Sequence, residues 1–137
     1  MGYPIETVEG IAKKMGDKLR KAGITRTDHL LDRGATRKGR KQVAEATGID
    51  EKVILKWTNM CDLMRVRGIG EEYSELLEVA GVDTVKELRK RKPENLHKAL
   101  CTANDSRKNG LVRQLPGLKQ VEKWVEHAKG LDPMIKH

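Results

Sequence analysis

Phenylalanine is absent from this chain of 137 residues, and aromatic residues make up only 3% of it. The hydrophobic share is 37%, so the interior must be built from leucine, valine, isoleucine, alanine and methionine. An interior without large aromatic residues favours packed helices over a β-sandwich. The composition therefore predicts an all-α fold with a core of modest size.

Cysteine is scarce as well, and long apolar runs are missing. Only Cys61 and Cys101 are present, and no segment is apolar enough for a signal peptide or a membrane span. These features predict a cytoplasmic protein with reduced thiols and no membrane partner. Both cysteines fall where the helical pattern favours a small apolar residue, so we interpret them as core residues.

Residue patterns typical of catalysis are also missing. The sequence has no P-loop, no pair of carboxylates and no recognisable nucleophile with its base. His97 and Cys101 have the helical spacing of two metal ligands, but no second pair accompanies them. We therefore expect no enzyme activity, no metal, no cofactor and no small-molecule substrate.

Positive charge is abundant and lies at the two ends of the chain. The formal net charge is +8 and the isoelectric point is about 9.6. Residues 1–58 carry 13 basic and 8 acidic side chains, residues 59–105 carry 8 and 9, and residues 106–137 carry 7 and 3. This balance favours a polyanionic partner.

An internal repeat predicts the architecture. At an offset of 58 residues, Val8-Glu9-Gly10-Ile11 matches Val66-Arg67-Gly68-Ile69, and the match continues without a gap across 23 positions. Farther along, Trp57 corresponds to Trp124. We predict two units, residues 1–62 and 63–137, that form a compact helical bundle with a pseudo-two-fold repeat.

Local patterns predict the helices of each unit. A helix follows each glycine turn, over about 12–22 and 70–80, and stops at Gly23 or Gly81. The other predicted helices are 25–31, 37–46, 51–64, 83–90, 93–100 and 120–129. The predicted helix caps are Thr36, Asp50 and Asp83, and the predicted loop spans 102–110. The helix after Asp50 carries an apolar stripe of Val53, Ile54, Trp57, Cys61 and Met64.

A glycine, a hydrophobic residue and a glycine between two helices form the centre of a helix-hairpin-helix motif. Gly68-Ile69-Gly70 fits this pattern best, and Gly10-Ile11-Ala12, Gly117-Leu118-Lys119 and Gly48-Ile49-Asp50 fit with decreasing quality. Glycine permits the positive φ of such a turn. Its free amides form a concave site that suits a phosphate oxygen.

Several resemblances support this interpretation. Four hairpins in two pairs resemble the tandem helix-hairpin-helix domain of DNA-repair proteins, and Leu115-Pro116-Gly117 resembles a hairpin start of DNA glycosylases. About the first 100 residues resemble a bacterial family of domains of unknown function. The segments that carry this resemblance include Tyr3-Pro4-Ile5-Glu6, Gly39-Arg40 and Asp62-Leu63-Met64-Arg65-Val66. That resemblance implies a helix-hairpin-helix fold and nucleic-acid binding, and it carries no activity.

Charge discriminates among the four turns. The Gly68 turn runs into Glu71 and Glu72, so we expect it to have a structural or partner-facing role. The Gly10 and Gly117 turns are followed by lysines, and residues 37–41 hold four cations at a predicted helix start. The predicted nucleic-acid-binding residues are Gly10, Ile11, Ala12, Lys13, Lys14, Arg37, Lys38, Arg40, Lys41, Gly117 and Lys119.

These observations predict an accessory module that binds the backbone of duplex DNA without sequence preference. The alternative is a protein-interaction or self-association scaffold that binds no nucleic acid. A helix-turn-helix over residues 41–57 is a minority alternative, since its exposed face lacks the side chains that bind base edges. RNA stays open as a partner, although we interpret both tryptophans as core residues rather than as stacking platforms.

Overall fold

The computed structural model describes residues 2–8, 10–106 and 110–136 of the chain. Over these ranges the protein is all-helical, with a 3-10 turn at Ile5–Thr7 and an isolated bridge between Pro4 and Arg26. None of the described helices is long and apolar enough to cross a membrane. The helices are α1 (Lys13–Lys21), α2 (Thr27–Gly34), α3 (Arg37–Thr47), α4 (Glu51–Leu63), α5 (Glu71–Val79), α6 (Val85–Leu88), α7 (Pro93–Asp105) and α8 (Leu118–Lys129).

Side-chain caps fix three of the helix starts. The Thr36 hydroxyl accepts a hydrogen bond from the backbone N–H of Gly39, and the Asp50 carboxylate accepts one from Lys52. Both caps were predicted from the sequence. At α6 the predicted cap Asp83 is wrong, because the Thr84 hydroxyl accepts from the Glu87 amide instead. The backbone of Thr84 is extended, which aims its side chain at the first turn of α6.

Two other local predictions also need correction. Helix α7 begins at Pro93 as expected but runs to Asp105 rather than Leu100, so much of the predicted loop 102–110 is helical and positions 107–109 lie outside the described residues. Val53 was assigned to the buried stripe of α4, yet it is 37% exposed. The rest of that stripe is buried, and burial raises the pKa of the Cys61 thiol. Cys101 is only half-buried.

The buried apolar residues form two clusters. The first cluster runs from Ile5 to Met64 and is centred on the side chains of α1 to α4. The second runs from Leu63 to Ala128 and is centred on α5 to α8. Trp57 belongs to the first cluster and Trp124 to the second, at 5% and 1% exposure. The prediction that both tryptophans are core residues is therefore confirmed.

Several helix contacts of the first half recur in the second, whereas the extensive α2–α3 contact has no comparable counterpart between α6 and α7. In the first half, α1 contacts α3, and α4 contacts both α2 and α3. In the second half, α5 contacts α7, and α8 contacts both α6 and α7. Helix α4 also contacts α5, which joins the two halves along consecutive helices. Each half thus places its last helix against its second and third.

Asp62 forms the polar joint between the halves. Its carboxylate is 1% exposed, accepts the Arg65 Nε–H at 3.0 Å, and accepts the backbone N–H of Val85 at 2.8 Å. A side chain at the end of α4 therefore satisfies an otherwise unpaired amide at the start of α6. Because the carboxylate is buried, it is stable there only while these donors are in place.

The C-terminal segment after α8 returns to the first half. Met134 and Ile135 pack against the first core cluster, and the Lys136 N–H donates to the Ala35 carbonyl at 2.7 Å. Arg65 also donates to the Asp132 carbonyl at 2.9 Å. Residues 131–136 therefore form a second connection between the halves, in addition to the α4–α5 contact.

We predict that Asp62→Ala destabilises the protein by about 3 kcal/mol, because it leaves the Val85 amide and the Arg65 guanidinium without their buried acceptor. Urea unfolding followed by circular dichroism measures this loss. The matched control is Asp32→Ala on an exposed face of α2, which should change stability by less than about 0.5 kcal/mol. Equal effects of the two substitutions would contradict the proposed role of Asp62.

Candidate nucleic-acid interface

Two glycine turns have the same backbone geometry. Gly10 has φ +94° and Gly68 has φ +91°. In the first turn the Ile11 N–H donates to the Val8 carbonyl at 3.0 Å, and in the second the Ile69 N–H donates to the Val66 carbonyl at 3.1 Å. The two sequences that match at an offset of 58 residues therefore adopt the same turn.

A tryptophan covers each of these turns. A Cβ atom added to Gly10 would lie 3.1 Å from the indole nitrogen of Trp57, and one added to Gly68 would lie 3.0 Å from that of Trp124. The positive φ and the indole contact both require glycine here. Gly70, the second glycine of the Gly68 turn, has φ −104° and open space around it. The motif therefore needs only its first glycine for the backbone geometry.

The helices that follow these turns begin with backbone amides that the helix does not use. The first hydrogen bond within α1 runs from the Gly16 N–H to the Ala12 carbonyl, and that within α5 runs from Ser74 to Gly70. The preceding amides have no partner in the helix. Within the described ranges, no side chain of the N-cap residues Ala12, Gly70 and Gly117 accepts a hydrogen bond at the start of α1, α5 or α8. These amides can donate to an external acceptor.

The charges beside the two matched turns are opposite. Helix α1 starts with the exposed side chains of Lys13 and Lys14 and has no acidic residue in its first turn. Helix α5 starts with Glu71 and Glu72. Since the amino terminus of a helix is already partly positive, the lysines add to an attraction for anions and the glutamates oppose it. The first turn of α1 is therefore more favourable for an anion than the first turn of α5.

The basic segment of α3 divides into exposed and buried cations. Arg37, Lys38 and Lys41 are exposed. Arg40 is 5% exposed, and its guanidinium donates to the carbonyls of Gly34 at 2.9 Å and Lys136 at 3.0 Å. Burial and the nearby Arg37 cation lower the pKa of Arg40. Its guanidinium holds the C-terminal segment and is not available to a phosphate.

The exposed cations of α1 and α3 belong to the same half of the molecule, because these two helices are in contact. Arg37 itself borders a cleft shared with Glu51 and Lys52 of α4. The start of α3 lies against Arg33, whose guanidinium donates to the Ala22 carbonyl at the end of α1. The cations at the start of α1 and those at the start of α3 are therefore two patches of the same half, and a carboxylate borders the second patch.

The other two predicted turns differ from the Gly10 turn. Gly117 has φ −75°, so α8 begins without a left-handed glycine, although Lys119 is exposed in its first turn. Helix α8 contacts α6 and α7, which places Lys119 in the second half. Gly48 has φ +75°, but the Asp50 carboxylate caps the following helix. The amides of that turn therefore already have an acceptor.

Sequence reasoning missed a basic groove beside the Gly68 turn. The groove has a volume of about 640 Å³ and is lined by Arg67, Gly68, Gln120, Lys123, Trp124 and His127. Four of these residues lie on α8, more than 50 positions after the turn. The sequence carried a signal for it in Arg67, which replaces the Glu9 of the first half.

His97, considered as a metal ligand, bonds through Nε2 to the Pro116 carbonyl oxygen at 3.1 Å.

Comparison with protein families matches residues 9–131 to a family described as Domain of unknown function (DUF4332). Comparison with curated proteins gave no match, and comparison with solved structures gave none. The matched range includes the Gly10 and Gly68 turns, both tryptophans and all eight helices of the described chain.

We predict that Gly68→Ala costs about 2 kcal/mol of stability, because alanine in left-handed geometry is strained and its methyl group would press on the Trp124 indole. Urea unfolding gives the loss. Gly70→Ala, two residues away in an extended backbone with open space, should cost less than about 1 kcal/mol. If Gly70→Ala proved as damaging as Gly68→Ala, the assigned turn geometry would be wrong.

Proposed function

This chain belongs to the DUF4332 family of domains of unknown function, and we propose that it is a non-sequence-specific DNA-binding module that contacts the phosphate backbone of a duplex. The observation that carries this proposal is the start of α1. There a left-handed glycine, uncapped helix amides and the exposed lysines Lys13 and Lys14 occur together. Amides and cations directed to solvent at a helix start are suited to a phosphate oxygen.

The module consists of two helix-hairpin-helix units of one ancestral design, with the boundary near residue 62. The matched turns at Gly10 and Gly68, the tryptophan over each and the recurring helix contacts support this duplication. Thr7, Gly68 and Gly70 also line one cleft, which supports a neighbouring position of the two turns. A duplex could then contact both halves along one side of the protein.

The proposed contacts are to the DNA backbone rather than to base edges. Turn amides and lysine side chains bind phosphate oxygens, which are the same at every base pair. The side chains that form bidentate contacts with bases are arginine, lysine, asparagine and glutamine, and apart from lysine the exposed surface of α1 and α3 offers only Arg37 and Gln42. We therefore expect binding that tolerates any sequence and weakens steeply with salt.

The side chains proposed to contact phosphate are the exposed cations near these helix starts: Lys13, Lys14, Arg37, Lys38, Lys41 and Lys119. Arg40 acts indirectly, by holding residues around Lys136 against α3. Lys119 lies in the other half from the rest, so its contribution requires a duplex that spans both units.

We predict that replacing Lys13 and Lys14 with alanine reduces the slope of log affinity against log salt by about two, because each lost phosphate contact removes about one counterion released. Titration of a labelled duplex at several salt concentrations, by fluorescence anisotropy, measures the slope. The matched control replaces Lys90 and Lys98, two exposed lysines of the second half, and changes the net charge equally.

The control variant should keep the slope of the unmodified protein, since its lysines lie away from the start of α1. An equal reduction of the salt slope in both double variants would contradict a localised contact. It would indicate that the net charge alone determines the salt dependence. No duplex binding at low salt, together with dimerisation that salt does not weaken, would favour the scaffold alternative. The acidic residues Glu71 and Glu72 at the start of α5, in a protein of positive net charge, give that alternative its support.

A further inference from the structure

The groove beside the Gly68 turn is chemically different from the surface around α1. It is a concavity of about 640 Å³, within the range that holds a nucleotide-sized ligand. Contacts with a duplex backbone need no such cavity, because phosphates project from a convex surface. The shape therefore indicates a small ligand, or a single nucleotide, that enters the protein.

The described lining of this groove carries cations and no carboxylate. Arg67 and Lys123 both line the groove and are exposed, one on the turn and one on α8. Gly68 also borders a different cleft, which is lined by Glu71, Glu72 and Arg113. Two full positive charges facing one concavity match the double negative charge of a phosphomonoester better than the single charge of a phosphodiester.

Hydrogen-bond donors surround the same space. The Arg67 backbone N–H donates to His127 Nδ1 at 3.0 Å, so the neutral imidazole carries its proton on Nε2 and offers that N–H as a donor. Gln120 adds a side-chain amide, and Trp124 borders the groove with its indole nitrogen against Gly68. An anion with several oxygens could use these donors together with the guanidinium of Arg67.

The first half provides an internal comparison, because the equivalent position lacks these groups. Glu9 stands in place of Arg67, Val53 in place of Gln120 and Met60 in place of His127, while Lys56 alone corresponds to Lys123. Trp57 and Trp124 occupy the same place against their turns. Arg67 and Gln120 are therefore not required by the turn or by the tryptophan packing, whereas His127 also accepts the backbone amide of Arg67 in the turn.

We propose that the groove formed by Arg67, Gln120, Lys123 and His127 binds a phosphomonoester of nucleotide size. The source is either a free mononucleotide or the 5′-phosphorylated end of a nucleic-acid strand. This proposal does not depend on duplex binding at the Gly10 turn, since it uses neither Lys13, Lys14 nor the α3 cations.

The two tryptophans allow a direct test by nuclear magnetic resonance, because the chain has two indole N–H groups and only that of Trp124 borders the groove. The probes are inorganic phosphate, adenosine 5′-monophosphate, adenosine, and a single-stranded oligonucleotide with or without a 5′-phosphate. We expect adenosine 5′-monophosphate or the phosphorylated strand to shift the Trp124 resonance in a saturable manner and to leave that of Trp57 in place.

Preference between these two probes identifies the source, and saturation by inorganic phosphate alone shows that the phosphate carries the recognition. Equal binding of adenosine and adenosine 5′-monophosphate would overturn the proposal. So would the absence of any saturable shift, or equal shifts of both indole resonances, whatever the result with duplex DNA.

Substitutions then locate the site. Lys123→Gln and Arg67→Glu, the second of which copies the residue of the first half, should each weaken phosphomonoester binding at least tenfold. Lys56→Gln removes the equivalent lysine of the first half and should leave the affinity unchanged. All three side chains are exposed, and thermal unfolding checks that each variant remains folded. Equal weakening by Lys56→Gln and Lys123→Gln would contradict the assignment.

Discussion

A tryptophan indole packs against a left-handed glycine in each half, and this contact connects the glycine turn to the hydrophobic core. It occurs twice, between Trp57 and Gly10 and between Trp124 and Gly68. In each half it joins the last helix to the turn that starts the first helix. Although each glycine contacts an indole, Gly10 and Gly68 remain exposed. The same contact thus joins the turn to the core and leaves the start of α1 exposed.

Much of the fold could be predicted from the sequence because its determinants are local. Thr36 and Asp50 lie directly before amphipathic segments, and both cap the helices that follow. The left-handed glycines at 23 and 81 end α1 and α5 as the pattern indicated. The prediction of the α6 cap failed because a residue distant in sequence contributes to the structure there. Asp83 and Thr84 are both residue types that can cap a helix. Thr84 is the cap of α6 because its backbone is extended, next to the Val85 amide that Asp62 binds.

The candidate site was less predictable, since it depends on which side chains the fold leaves exposed. The sequence presents Arg37, Lys38, Arg40 and Lys41 as one basic cluster, yet Arg40 is turned inward by the carbonyl of Lys136, 96 positions away. Likewise the Gly68 turn was judged by the glutamates that follow it. The groove beside it is completed by Lys123 and His127 of α8, which only the folded chain brings beside the turn.

The central claim is that the amides at the start of α1 bind phosphate directly. The most direct measurement is a titration of ¹⁵N-labelled protein with a short duplex, followed through its backbone amide resonances. If the amides bind phosphate, saturable shifts should be concentrated at Gly10 to Lys14. None should occur at Lys52, whose amide is occupied by the Asp50 carboxylate. Shifts at Lys52 and none at Gly10 to Lys14 would contradict the central claim.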